Sequence, residues 1–447
     1  MTRRARWLAA GALVLSGCSS GDRKELQEVE YNCPANAVEI AVLQREISRF
    51  EADSGIRIKL NPFSGQDKLY AMMAAGKAPD IFYTSSTMRD RLAAEDRILD
   101  LRSVSRGDSL PGRLWPHVIE NGTSVDGGWY SLGNWEFTCG VYYRKDLFSE
   151  AGLSPPDSSW TWDDMVSLAR KLTRPPNTDG RGGRYGVFIG SHFVEALELM
   201  NGARLPREML LLKIPAESAD LYRRYIALMD EGIMPDLLRM QALGMQPAQL
   251  LENGKVAMLV EAVPNQSLIE AMTEPWGVAP LPRFPGKEPA YFRSASGGLS
   301  ISASTRDPAA AWKALKWIVT QASTYQPTPV LRDIDFAGGW EKRYPQLRGN
   351  GFRQVWDLSL KHNGGDPRFF VRFSSWTSGP ILERLQPLLD QVWARKKPVD
   401  SLLAAVPAIN SEVRRELAVM AGTTTLKPEF REKIEQALKE MHDNSAL

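Results

Sequence analysis

Two carboxylates, Glu136 and Glu261, lie in stretches of the chain that carry little other charge. Two carboxylates that flank a glycosidic bond are the usual catalytic groups of a glycan-degrading enzyme. The sequence also contains 13 Trp, and aromatic rings offer flat, mostly apolar surfaces on which sugars bind. No spacing of His and Cys indicates a metal site. These residues leave open a glycan-degrading enzyme or a binding protein without catalysis, and product formation from oligosaccharides would distinguish the two.

Strands and helices alternate in the stretch that positions Glu261. Short apolar segments between turn residues predict buried strands at 256–260, 276–279 and 299–301. A helix follows, with Thr305 as the expected cap and a proline in its first turn. This alternation predicts an α/β sheet, in which ligands lie beyond the carboxyl ends of the strands. The loops after residue 260 and before Gly297 are therefore expected to contact a ligand.

The beginning of the folded part predicts a βαβαβ unit. We expect strands at 38–43 and 56–60 and a third that ends near residue 83, with helices between them that stop at glycines. Right-handed crossovers would build a parallel sheet from these strands. The loops at Gln44, 63–65 and 84–87 would then share one edge of that sheet.

Residues 127–146 form a long, nearly uncharged run that suits a crossing between two lobes. Strand alternation would place Trp135 and Phe137 on one side of this run. Farther along, Thr161 and Asp164 have the spacing of a capping box before an amphipathic helix.

Length and charge limit the class of protein. A chain of 447 residues is too long for one hydrophobic core, so two lobes are expected. The formal net charge is only +2, whereas a nucleic-acid-binding chain usually shows a concentrated excess of basic residues. We therefore expect no nucleic-acid partner.

The N-terminus has the features of an export signal. Three arginines among the first six residues precede an apolar run at 7–15 that is too short to span a bilayer. The run ends in Leu-Ser-Gly-Cys at residues 15–18, which resembles the lipobox of bacterial lipoproteins. The resemblance implies a signal peptide at 1–17, a lipidated Cys18 that anchors the protein to the bacterial cell envelope, and a tether through residue 34. Cleavage without lipidation is the alternative.

Two further cysteines, Cys33 and Cys139, would share the oxidising compartment that export implies. We do not expect them to pair. Cys33 precedes the first predicted strand, whereas Cys139 lies in a segment expected near the middle of the molecule.

Four short motifs identify a family by their order along the chain. They are AGKAPD at 75–80, YRKDLF at 143–148, NGKVAM at 253–258 and STRDP at 304–308. Together they resemble the extracellular solute-binding proteins of carbohydrate-importing ABC transporters, the group that includes maltose-binding protein. The resemblance implies an α/β fold of two lobes with a hinge and a ligand cleft between them.

The resemblance also implies how the chain is divided between the lobes. Residues 35–138 and 278–325 would form the first lobe, and residues 139–277 and 326–447 the second. The helical C-terminal part would pack on the second lobe. The last predicted helix has an apolar face that consists of Phe430, Ile434, Leu438 and Met441. We expect this face to pack in the core, and the alternative is a surface that binds a partner.

By the same resemblance, a monomer would bind a sugar or oligosaccharide when its hinge closes and pass it unchanged to ABC permease subunits. No cofactor, metal or catalysis is implied. Family positions carried onto this chain give twelve candidate ligand-binding residues: Gln44, Ser85, Trp135, Phe137, His192, Phe193, Glu261, Asn265, Ser296, Gly297, Arg372 and Trp376.

One segment departs from the family pattern. After the strand at 256–260, sugar binders of this family often have Gly, then Ser, Thr or Pro, and then a Trp that stacks on the sugar. Here the residues are Glu261, Ala262, Val263 and Pro264, which leaves room for a charged, modified or non-sugar solute. A lipoprotein that presents its solute to a sensor is a third interpretation, and permease genes beside this one would weaken it.

Overall fold

The structure, a computed structural model, describes residues 27–33, 37–62, 65–133, 136–176, 182–203, 208–209, 211–287, 293–295, 297–320, 330–363, 372–373, 375–423 and 426–443. The strands of these residues are β1 (Gln27–Cys33), β2 (Ile56–Pro62), β3 (Ile81–Thr84), β4 (Glu136–Arg144), β5 (Tyr185–Ile189), β6 (Glu208–Met209), β7 (Val256–Val263), β8 (Trp276–Pro280), β9 (Arg293–Ala295), β10 (Gly298–Ile301) and β11 (Arg372–Phe373).

The α-helices of the described residues are α1 (Ala37–Ser54), α2 (Gln66–Ala74), α3 (Ser86–Ala94), α4 (Leu101–Val104), α5 (Leu110–Arg113), α6 (Pro116–Gly122), α7 (Lys145–Glu150), α8 (Trp162–Leu172), α9 (Val194–Met200), α10 (Ala216–Asp230), α11 (Leu237–Leu243), α12 (Pro247–Glu252), α13 (Gln266–Ala271), α14 (Pro308–Thr320), α15 (Phe336–Arg343), α16 (Phe352–Asn363), α17 (Ser375–Trp393), α18 (Asp400–Ala421) and α19 (Pro428–Asp443).

The first lobe is built on a four-stranded sheet with the order β10-β3-β1-β2. The strands β2, β1 and β3 are parallel, and β10 runs antiparallel beside β3. One face of the sheet is covered by α1 and α14, whose Leu43, Ile47 and Trp312 are buried in the same apolar cluster as Val29 and Tyr31 of β1. The predicted βαβαβ opening is therefore present, with a helix on its buried face.

The first strand lies earlier in the chain than predicted. The prediction of a strand at 38–43 is wrong, because α1 begins at Ala37. The strand is instead β1, which lies inside the segment expected to be a tether. In β1 the buried Val29 and Tyr31 alternate with more polar residues, whereas Leu43 belongs to the helical face that includes Ile47.

The second lobe is built on a sheet with the order β5-β7-β4-β8, with β9 also paired to β4. The strands β5 and β7 are parallel, and β4 is antiparallel to β7, β8 and β9. Helices α12, α13, α15 and α16 contribute to the buried cluster on one face of this sheet, which includes Trp276 and Trp356. The other face packs against α8 and α10.

The observed strand pairing places the boundaries between the lobes at other residues than predicted. Because β8 and β9 pair with β4, the return to the first lobe does not begin at residue 278 but after Ala295. The return also continues beyond residue 325. Leu331 forms a β-bridge with Leu114 of the first lobe, and Arg113 pairs with Asp333 (Nε to Oδ2, 2.6 Å).

The helix caps were predicted with mixed success. The capping box of Thr161 and Asp164 is confirmed at the start of α8, where each side chain accepts a backbone N–H from the other residue. The cap predicted for α14 is wrong. The carboxylate of Asp307 accepts the N–H of Ala310 (2.8 Å), whereas the hydroxyl of Thr305 donates to Asp80 (2.5 Å).

The C-terminal helices contact both lobes, although they were expected on the second lobe alone. A Cβ atom placed on Gly379 of α17 would lie 3.0 Å from Cγ2 of Thr87 in the first lobe. At the other end of α17, Trp393 makes edge-on contacts with Tyr222 and Tyr225 of α10 in the second lobe. The helix α17 therefore bridges the two lobes.

The last helix, α19, is part of the core, as predicted. Phe430, Ile434 and Met441 are buried, and Leu438 packs against the same cluster. Just before this helix, Lys427 Nζ lies 2.6 Å from Asp96 Oδ1 at the end of α3. The helix is thereby attached to the first lobe.

The described residues include no disulfide between Cys33 and Cys139, which are buried in separate clusters. Cys33 ends the first strand and does not precede it. None of the helices in the described ranges is long and apolar enough to cross a membrane.

Candidate functional site

One edge of the second sheet collects several of the predicted site residues. The strand β5 ends there, with Ile189 beside Val260, and the parallel β7 continues to Val263. The antiparallel β4 begins there, with Thr138 beside Val263. Phe137 in β4, His192 after β5 and Glu261 in β7 are consequently brought to this edge. This agrees with the general rule that ligands bind beyond the carboxyl ends of strands.

The first sheet presents a comparable edge with Ser85 and Gly297. Ser85 follows β3, and its hydroxyl accepts the N–H of Met88 (3.3 Å), so that it caps α3. Gly297 comes directly before Gly298, which pairs with Thr84. Gly297 has a φ of +88°, and a Cβ atom there would lie only 2.3 Å from the carbonyl oxygen of Thr84. Gly297 therefore shapes the backbone at this edge.

A hydrogen-bonded cluster surrounds the end of β7. The N–H of Ala262 donates to Glu261 Oε1 (2.8 Å), and the Asn265 side chain lies close enough to the Glu261 carboxyl to lower its pKa. Asn265 Oδ1 accepts the N–H of Leu268 (2.9 Å) and caps α13. The buried Tyr142 hydroxyl donates to the Ala262 carbonyl (3.1 Å) and accepts the Asn265 N–H (3.2 Å). These bonds fix the segment from Glu261 to Asn265.

Burial controls the charge of this cluster. It raises the pKa of the Glu261 carboxyl above its ordinary value, although the N–H of Ala262 and the Asn265 side chain act in the opposite direction. Burial also raises the pKa of Tyr142 far above its ordinary range, so this phenol is neutral. The arrangement presents a partly exposed carboxylate that can accept hydrogen bonds.

Two predicted site residues do not present their side chains at these edges. Gln44 is exposed on α1, and the premise that it follows the first strand is wrong because β1 ends at Cys33. Phe193 is only 4% exposed and packs in the core. The apolar pattern around β5 does not distinguish such a core residue from one in a cleft.

Other predicted residues are described in part or lie outside the described ranges. Trp135, Ser296 and the lipidation site Cys18 are outside them. The structure describes the backbone, but not the side chains, of His192, Arg372 and Trp376. Glu136, the second carboxylate of the hydrolase hypothesis, also belongs to this group.

The backbone nevertheless places Arg372 and Trp376. Arg372 pairs with Glu208 in the short sheet of β11 and β6. Trp376 lies in the first turn of α17, three residues before Gly379, which contacts Thr87. The backbone of Trp376 therefore lies about one helical turn from this contact with α3.

Sequence reasoning missed Tyr142, which is 1% exposed and joins Ala262 to Asn265. No local signal separates it from the neighbouring Tyr143, since both lie in the same apolar strand. Its role depends on which face of β4 carries each ring.

A groove of about 1910 Å³ lies elsewhere, on the face of β1 and β2 opposite α1. Glu30, Asn32, Lys59 and Asn61 are among its lining residues. Within it, Lys59 Nζ lies 2.5 Å from Glu30 Oε1, so that two of the charges neutralise each other. We interpret this groove as the solvated face of an edge strand and not as the solute cleft.

The residues of the described part contain no cluster of His, Cys, Asp and Glu suited to a metal ion. The candidate site on the second sheet includes the hydrogen-bonding groups of Glu261 and Asn265 and the aromatic ring of Phe137. Such groups suit the binding of a polar organic solute.

Comparisons with known proteins agree with this geometry. The model of the family described as bacterial extracellular solute-binding protein matches residues 35–324. YcjN of Escherichia coli, which carries a provisional name as an ABC transporter periplasmic-binding protein, is 24% identical over 183 residues. That match covers 39% of this chain and 40% of the relative, so it spans less than half of either protein.

Solved structures match over much more of the chain. An ABC substrate-binding protein of Listeria monocytogenes in complex with cycloalternan has a TM-score of 0.69 at 18% identity, and the match covers 88% of this chain and 98% of that one. The sugar-binding protein MalE of Xanthomonas citri has a TM-score of 0.67 at 19% identity, with coverage of 89% and 100%. At such low identity these likenesses show the two-lobe fold.

Proposed function

Because the chain belongs to the family of bacterial extracellular solute-binding proteins, we propose that it captures a sugar or related solute between its two lobes and delivers it to the membrane permease of an ABC importer. The solute leaves chemically unchanged. The observation that carries this proposal is the pair of sheet edges, one in each lobe, at which hydrogen-bonding side chains follow the ends of parallel strands.

The contacts in the cleft follow from those edges. Ser85 lies on the first lobe, Phe137, Glu261 and Asn265 lie on the second, and α17 spans the two lobes. A solute that touches both edges is held fully only when the lobes approach, so binding favours the closed arrangement. Further proposed contacts, carried over from the family resemblance, are Trp135, His192, Ser296, Arg372 and Trp376.

Export and anchoring belong to the same proposal. The family of extracellular solute-binding proteins acts outside the cytoplasm. The lipobox-like sequence that ends in Cys18 supports a lipid anchor on the cell envelope. We propose that the protein acts there as a monomer.

A thermal-shift screen tests solute capture. The protein would be heated with single sugars, oligosaccharides and polyols, and a solute that binds the folded form should raise the melting temperature. The solute would then be recovered and its composition compared with the starting material by chromatography. Recovery of the intact solute agrees with transport, whereas shortened oligosaccharides would favour the hydrolase hypothesis.

A further inference from the structure

The two positions beside Glu261 in the second sheet, one on each neighbouring strand, are glycines. Its partner on β4 is Gly140, which has no side chain. On the opposite side β5 ends at Ile189, the partner of Val260, and is followed by Gly190. A larger residue does not fit at Gly140, because a Cβ atom there would lie 2.9 Å from Cγ2 of Val263. Neither neighbouring strand therefore covers Glu261 with a side chain at these two positions.

The protein satisfies this carboxylate only in part. An ionised carboxylate offers about four acceptor positions, and the N–H of Ala262 uses one of them. Among the described side chains, none of the ion pairs involves Glu261. A partly buried carboxylate that pairs with no cation among the described side chains is costly for the protein. A solute with hydrogen-bond donors would offset that cost.

Taking the proposed function as the premise, we propose that Glu261 makes the cleft selective for solutes that carry an ammonium group, such as an amino sugar, over the neutral sugar with the same ring. An ammonium group supplies three donors and a positive charge, whereas a hydroxyl group supplies one donor. Hydrogen bonds between ionised partners are about twice as strong as neutral ones. The position is also free of an aromatic side chain that would instead favour the apolar face of a neutral sugar.

Matched pairs of sugars test this selectivity. Glucosamine would be compared with glucose, and fully deacetylated chitobiose with cellobiose, by titration calorimetry of the full-length protein at pH 7. We expect the amino member of at least one pair to bind about tenfold more tightly than its neutral counterpart. In Glu261→Gln the two sugars of a pair should bind with about equal affinity, because the amide keeps the shape of the side chain but carries no charge.

Glu270→Gln is the matched control. Glu270 is exposed on α13, which Asn265 caps, and this substitution removes the same charge from the surface. The control should retain the tenfold preference. Circular dichroism would verify that both variants are folded.

Three results would overturn the inference: equal or tighter binding of the neutral sugars by the unsubstituted protein, an amine preference that survives in Glu261→Gln, or no binding of either member of any pair. In the first two cases the protein still binds sugars, so solute capture stands and only the role of Glu261 falls. In the third case the broader thermal-shift screen decides whether solute capture also fails.

Discussion

Replacement of Gly297 by Ala should destabilise the first lobe more than an ordinary glycine substitution does. The φ of +88° at Gly297 costs a residue with a Cβ atom about 1–2 kcal/mol. The added Cβ atom would also lie 2.3 Å from the backbone oxygen of Thr84 and 2.8 Å from the Tyr83 hydroxyl. Relieving such overlap in a packed sheet typically costs about another 1–3 kcal/mol. We therefore expect a loss of about 2–5 kcal/mol in the free energy of unfolding.

Urea denaturation followed by tryptophan fluorescence would measure this loss. Trp129 and Trp312 report on the first lobe, since their rings lie 6.0 Å apart in its core. The shift of the urea midpoint, multiplied by the slope, gives the change in free energy.

Gly133→Ala is the matched control for this experiment, because it lies beside the same edge. A Cβ atom there would meet Cγ1 of Val118 at 3.5 Å, an ordinary contact. At a compatible position, Gly→Ala substitution changes stability by up to about 1 kcal/mol and usually in the favourable direction. Equal losses in Gly297→Ala and Gly133→Ala would refute the argument from backbone geometry.

Three further substitutions test other parts of the structure. Asp307→Ala removes the cap that accepts the Ala310 N–H and should cost about 1 kcal/mol, seen as a lower melting temperature. Burial opposes the charged form of Asp108, but hydrogen bonds, above all from Lys316, hold its pKa below the ordinary value. This carboxylate therefore stabilises the fold above its unfolded-state pKa and loses that effect as the pH falls through its folded-state pKa, so Asp108→Asn should flatten the acid side of a plot of stability against pH. Trp376→Ala should weaken solute binding by at least about 1 kcal/mol while the protein stays folded, and unchanged affinity in calorimetry would remove this residue from the proposed site.

The elements predicted correctly have signals that are local in the sequence. The apolar run of β7 lies between turn residues, and the capping box of Thr161 marks the start of α8. The strand β1 lacks such a signal, because Glu28 and Glu30 lie on the open face of the sheet and give the segment a polar composition. The boundary between the lobes near β8 depends on pairing with β4, more than 130 residues earlier in the chain, and local composition cannot show such pairing.

The candidate site was predictable to the extent that it follows strand ends. The strand β7 was predicted to end at residue 260 but continues to Val263, so Glu261 lies in the strand and not in the loop after it. Gln44 was misplaced together with the first strand, and Phe193 was carried over from the family as a ligand contact although its side chain packs in the core. The hydrogen bonds of Tyr142 could not be predicted, since they join β4 to a segment about 120 residues farther along the chain.

The bridging helix α17 has a mechanical consequence for any movement of the lobes. Gly379, near its beginning, rests on the first lobe, and Trp393, at its end, rests on the second. Between these two anchors lie Pro380 and, near the midpoint, Pro387, neither of which can donate the backbone hydrogen bond that stiffens an ordinary helix. A rotation of one lobe against the other would therefore bend this part of α17, which is about 21 Å long, and the bend is expected near its middle.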